Sequence, residues 1–108
     1  MTAILNHDRL EEVTSGDSAL RATLSQLYLE TLTRCTSALK SAASTGNAKA
    51  WQETLHELKG ASANVGAEEM ASLCMRMEYA ASESWPEAIE ELDDAAEAVQ
   101  AAFEMLDE

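Results

Sequence analysis

Apolar and polar residues alternate along the chain at helical spacings of three and four positions, and glycine falls where that spacing breaks. Three of the four glycines, Gly16, Gly46 and Gly66, stand at such breaks. Glycine readily adopts the left-handed conformation that ends a helix, so these positions divide the chain into segments. Leu5, Leu10 and Val13 mark a short first helix, capped by Asn6 and ended by Ser15-Gly16. Asp17 caps a long second helix whose inner stripe reads Leu20, Leu24, Leu27, Thr31, Cys35, Ala38 and Ala42, running to about Ser44. Asn47 caps a third, with Trp51, Leu55, Leu58, Ser62 and Val65 inward and Gly66 as its stop. A fourth begins near Glu68, whose charge suits a helix N-terminus, and buries Met70, Leu73, Cys74 and Met77. Ser84-Trp85-Pro86-Glu87 has the form of a capping box and starts a fifth helix, with Ile89, Leu92, Ala96, Val99, Phe103 and Leu106 as its stripe.

Four long amphipathic helices joined by short connections predict an all-α fold, an antiparallel up-down four-helix bundle whose short N-terminal helix covers one end. Composition agrees: twenty alanines and thirteen leucines stand against five isoleucines and valines together and a single proline. A length of 108 residues supports one core, so the chain is expected to be a single domain over residues 1–108. Kinase, dinucleotide-binding and barrel architectures are excluded by size. The initial Met1 argues for a complete protein rather than a domain cut from a larger one.

Charge narrows the partners. Twenty acidic against seven basic residues give a net charge of -13, which repels nucleic acid and anionic membrane surfaces. The last basic residue is Arg76, and ten of the acids lie between Glu83 and Glu108, an acidic solvated end. No apolar run is long enough to span a membrane and no signal peptide opens the chain, so a cytoplasmic location is expected. Cys35 and Cys74 lack metal-site spacing and fall in apolar stripes, which predicts buried free thiols.

Gly60 breaks the pattern. It lies inside the third helix, where glycine costs about 0.5–1 kcal/mol relative to alanine, in a chain that uses alanine freely. His56, Lys59, Gly60 and Ala63 share one stripe, rotated away from the core stripe of the same helix. The stripe therefore offers an imidazole, a cation and a bare patch. Imidazole attacks phosphorus in its neutral form, an ammonium one turn on neutralises phosphoryl oxygens, and a small residue lets a partner approach closely. Such a constellation suits a nucleophilic histidine that briefly carries a phosphoryl group. A lone histidine on a helix is otherwise an ordinary surface or core residue, Lys59 alone a solvated charge, and Gly60 alone a helix-packing site.

Residues 55–67, Leu-His-Glu-Leu-Lys-Gly-Ala-Ser-Ala-Asn-Val-Gly-Ala, resemble the motif of the histidine-containing phosphotransfer (HPt) family, H-x-L-K-G-x-S-x-x-x-G-A. The first helix, Gly16-Asp17, Gly46-Asn47 and the Leu73-Cys74 region resemble the family as well. The resemblance implies a four-helix bundle in a two-component phosphorelay, with His56 accepting the phosphoryl group at Nε2, Lys59 steadying it and Gly60 giving the partner room. It also implies that Glu78 sets an acidic side chain against the other ring nitrogen, fixing the tautomer that leaves Nε2 free. Ala61 departs from the serine that many members carry next to the glycine. The implied partners are response-regulator receiver domains and a hybrid or sensor histidine kinase; a monomer is expected because four helices already close a core. No cofactor of its own is expected: Mg2+ belongs to the receiver, and without a nucleotide-binding loop the chain acts as a carrier that does not phosphorylate itself from ATP.

Other readings fit less of the sequence. His56-Glu57 opens like a zinc-protease helix, but Gly60 stands where the second ligand belongs, and the other histidine, His7, lies near the start of the first helix. Gly16-Asp17-Ser18-Ala19-Leu20 approaches the serine motifs of GDSL hydrolases and acyl carriers, and the inserted alanine spoils both. Met70 and Met77 are core at helical spacing, whereas Met75 is expected on the surface. The main rival is a helical adaptor without chemistry, which predicts that replacing His56 changes nothing.

Overall fold

The computed structural model describes residues 4–106; Met1 and the last two acids, Asp107 and Glu108, lie outside the described residues. Five α-helices follow in order: α1 (His7–Thr14), α2 (Ser18–Thr45), α3 (Ala48–Asn64), α4 (Glu68–Met77) and α5 (Trp85–Leu106). Helices α2 to α5 form the bundle: each packs on its neighbour in the chain and α2 closes against α5, while α1 lies across α2 and α3. At about 1.5 Å per residue the 28 residues of α2 are as long as the whole molecule, 42 Å.

The ends of the first three helices are set by side chains at the predicted positions. Asn6 accepts from Arg9 N–H, Asp17 from Ala19 and Leu20 N–H, and Asn47 from Ala50 N–H. Ser15 and Gly46 close α1 and α2 in the left-handed conformation. Gly66 follows α3 at φ 83°, and its carbonyl accepts from Asn6 N–H, so the turn after α3 also receives the start of α1. Asn6 Nδ2 donates to Glu68 Oε1 at 2.6 Å, which ties the same corner to α4.

Three sequence expectations are corrected. The buried stripe of α2 is Ser25, Tyr28, Leu32, Cys35, Leu39 and Ala42; Leu20 and Leu27 are exposed, and Leu24, Thr31 and Ala38 are half-buried. Both rows are spaced as helix faces and they merge at Cys35 and Ala42, so periodicity alone does not choose between them. Tyr28 decides: its ring packs on Phe103 with centroids 5.6 Å apart, and its hydroxyl is 2.7 Å from that of buried Ser62. A tyrosine thus occupies the core because α3 supplies a polar partner for its tip.

The second correction concerns the fifth helix. It begins at Trp85, but Ser84 is the last residue of a single 3-10 turn, Ser82–Ser84, and is not an extended capping residue. The chain therefore enters α5 already helical. The buried positions there are Trp85, Ala88, Leu92, Val99 and Phe103, with Ile89, Ala96 and Leu106 on the margin. Helix α4, at 10 residues, is also shorter than the four long helices expected.

Cys35 and Cys74 are buried free thiols. Burial, first, pushes the Cys74 thiol up to about 12. Among the described residues no helix is long and apolar enough to cross a membrane.

Candidate functional site

Helix α3 carries the site and Trp51 fixes its place. The Trp51 ring is fully buried, stacks on Trp85 with centroids 4.6 Å apart, and donates Nε1–H to the Met77 carbonyl at 3.0 Å. That bond pins the last turn of α4 to α3. The residue after Met77 is Glu78, which is thereby held opposite the turn of α3 that begins beyond Leu55.

His56 sits on that turn with its side chain 73% exposed, and its Nδ1 lies 3.4 Å from Glu78 Oε1. Glu78 itself is buried, its side chain 10% exposed, and among the described residues Oε1 has no hydrogen-bond partner. A buried carboxylate oxygen left bare is costly, and His56 Nδ1–H is the donor placed to satisfy it by a shift of a few tenths of an ångström. So Glu78, which the family resemblance implies and the periodicity does not, lies against the imidazole and not in solvent.

The rest of the stripe is disposed as its spacing requires. Gly60 and Ala63 are exposed beside His56, and Lys59 is half-buried. Among the described residues Lys59 makes no ion pair, whereas Arg9, Arg34, Lys40, Lys49 and Arg76 each pair with an acid. Lys59 thus keeps its charge available. At Gly60 a Cβ would meet nothing within 4 Å, so nothing in the chain itself calls for glycine there. Gly66 is the contrast: a Cβ there would lie 2.6 Å from the Asn6 carbonyl oxygen.

A shallow depression of about 400 Å³ opens at the imidazole, lined by Gln52, Glu53, His56, Glu57, Glu78 and Tyr79. Tyr79 escaped the sequence reading because it lies beyond the last turn of α4, outside any periodic stripe. It is exposed, and the neighbouring Glu78 carboxylate holds its phenol above the ordinary value. On the other flank Leu24, Leu27, Tyr28 and Thr31 of α2 border a second hollow with Ala61, Asn64 and Val65. Ala61 is half-buried between the two helices, which puts this departure from the motif on the α2 side of the stripe. His7 is exposed at the start of α1 and Met75 on α4. Among the described residues no group of three or more His, Cys, Asp or Glu is arranged to hold a metal ion.

The arrangement offers one chemistry: an exposed imidazole with one nitrogen against a buried carboxylate, a free ammonium one turn away and open space alongside. Comparison with known proteins bears on it directly. The family model of the Hpt domain matches residues 23–102. No curated protein matches the sequence. Among solved structures the chain is similar to histidine-containing phosphotransfer protein B from Pseudomonas aeruginosa PAO1, at 24% identity and TM-score 0.88, over 97% of this chain and 95% of that one. It is also similar to the HPT domain of a sensor hybrid histidine kinase from Shewanella, at 23% identity and TM-score 0.78, over 95% of this chain and 92% of that one.

Proposed function

The chain belongs to the Hpt domain family, the histidine phosphotransfer domains of two-component phosphorelays, and from that premise we propose that His56 is the side chain on which it carries the phosphoryl group. The observation that carries the proposal is the 3.4 Å approach of His56 Nδ1 to buried Glu78, on a ring otherwise open to solvent. A proton held on Nδ1 leaves the Nε2 lone pair free. That pair attacks the phosphorus of an aspartyl phosphate on a receiver domain. The P–N bond forms, the P–O bond breaks, and its electron pair leaves on the aspartate. The ring keeps its Nδ1 proton and becomes cationic, a charge the Glu78 carboxylate offsets. Return to a second receiver reverses the same step.

Lys59 neutralises the equatorial phosphoryl oxygens, and Gly60 with Ala63 leaves room for the receiver's loops around its aspartate. Exposed Leu27, which shares a hollow with Ala61 and Asn64 of α3, gives an apolar flank for docking, so two acidic partners need not rely on charge. The metal ion that assists the transfer would be the receiver's. We assign the carrier to the cytoplasm, as a monomer, with a hybrid or sensor histidine kinase upstream.

Transfer from a panel of phosphorylated receiver domains to the wild type and to His56→Ala tests the proposal. Acid-labile, alkali-stable label on the wild type alone is expected. Label on the variant would remove His56 from its role, and no label across the panel on a folded bundle would make the chain an adaptor.

A further inference from the structure

The depression at His56 is lined by three carboxylates, those of Glu53, Glu57 and Glu78, and a phosphoryl group on Nε2 brings about two more negative charges to it. Like charges at such range oppose the loading of the histidine unless they are neutralised. Each of the three has a partner, the imidazole for one and a cation for each of the other two. Glu78 faces His56 itself, Glu53 lies 3.9 Å from Lys49 on its own helix, and Glu57 is held by Arg34 from α2. Only the last is a two-pronged contact: Arg34 offers one guanidinium nitrogen to each oxygen of Glu57, Oε1 at 3.3 Å and Oε2 in a shorter contact.

Glu57 is the immediate neighbour of His56 in the chain, and it lines the same depression as the imidazole. We propose that Arg34 is a positioning residue for phosphoryl transfer: by holding the Glu57 carboxylate against α2, it keeps that charge turned away from the phosphoryl group on His56. The inference rests on His56 as the acceptor. Hydrogen bonding from the Arg34 guanidinium also holds the Glu57 carboxyl below its ordinary value. Without Arg34 the charge would remain and would be free to swing into the depression.

Both partners are about half exposed, so the pair adds little to stability and its loss leaves the bundle folded. The test uses phosphoramidate, a small donor that loads histidine without a receiver: its P–N bond breaks, ammonia leaves, and the phosphorus passes to Nε2. Loading rates are measured at low and at raised ionic strength for the wild type, Arg34→Ala, Arg34→Lys, Glu57→Gln and the Arg34→Ala/Glu57→Gln pair. Arg34→Ala is expected to load roughly two- to fivefold more slowly at low salt, with the gap closing as salt rises. Arg34→Lys should recover part of the rate, and Glu57→Gln should match or exceed the wild type. The double variant should return to the wild-type rate, which a merely structural role for Arg34 would not allow. A double variant as slow as Arg34→Ala, or an Arg34→Ala rate equal to the wild type, overturns the inference while leaving His56 as acceptor. Label surviving in His56→Ala overturns the acceptor assignment and the inference with it.

Discussion

His56 Nδ1 lies 3.4 Å from a buried Glu78 oxygen that accepts no hydrogen bond among the described residues. The two residues belong to different elements, and the bond from Trp51 Nε1 to the Met77 carbonyl brings them together. A buried indole thus sets the register of a surface site. With His56 as the proposed acceptor, this relationship gives Glu78 the task of orienting its ring.

Removing that orientation should slow transfer without removing the nucleophile. Glu78→Ala is expected to lower the transfer rate about tenfold or more, the size of a lost hydrogen bond to a charged group. Glu78→Gln, which keeps an acceptor but no charge, should fall between it and the wild type. Nitrogen chemical shifts of the imidazole should show Nδ1 protonated in the wild type and a mixture of tautomers in Glu78→Ala. An unchanged tautomer would mean that Glu78 does not orient the ring.

At Gly60 stability and function are expected to part. Gly60→Ala should stabilise the bundle by about 0.5–1 kcal/mol, because a Cβ there meets nothing and helix interiors favour alanine. Gly60→Gln should also be at least as stable as the wild type, yet lose transfer from a receiver by about a hundredfold, since the reacting atoms are kept apart. Urea titration and transfer rates on the same samples check this. A glutamine variant with full transfer would show that close approach is not what the glycine serves.

At Gly66 the effect on stability reverses. A Cβ there collides with the Asn6 carbonyl oxygen, and the residue sits at φ 83°. Gly66→Ala is expected to cost about 1–3 kcal/mol and to release α1 first. Hydrogen exchange should show protection lost over His7–Thr14 before the bundle itself opens.

Alkaline pH should unfold the protein more readily than neutral pH. The Cys74 thiol, at about 12 against an ordinary 9.0, stays protonated in the folded chain while the unfolded chain ionises. Burial likewise raises Cys35 and Tyr28. A folded value above the unfolded one gives stability that is complete below about pH 9 and lost as pH climbs toward 12. Urea midpoints at pH 7 and pH 10.5 measure it, and equal midpoints would count against burial of the thiols.

The helix ends were legible in the sequence because they are made locally. Asn6, Asp17 and Asn47 cap with their own side chains, and Ser15, Gly16 and Gly46 turn the chain where the periodicity lapses. The face of α2 was only half legible. Its C-terminal half has one apolar row, but its N-terminal half has two, and Tyr28 enters the core only because Ser62 and Phe103 wait for it on other helices. At Ser84 the local signal was present, but the preceding 3-10 turn overrode it.

The sequence by itself determined the class of fold, the helix starts as far as Glu68, and the stripe of His56, Lys59, Gly60 and Ala63, because all of these follow from caps and spacing along one helix. Only the tertiary structure decided which face of α2 is buried, that Glu78 meets the imidazole, and that Arg34 reaches Glu57. Those depend on the register between helices, which is fixed by buried contacts such as Trp51 on Met77 that no single helix contains.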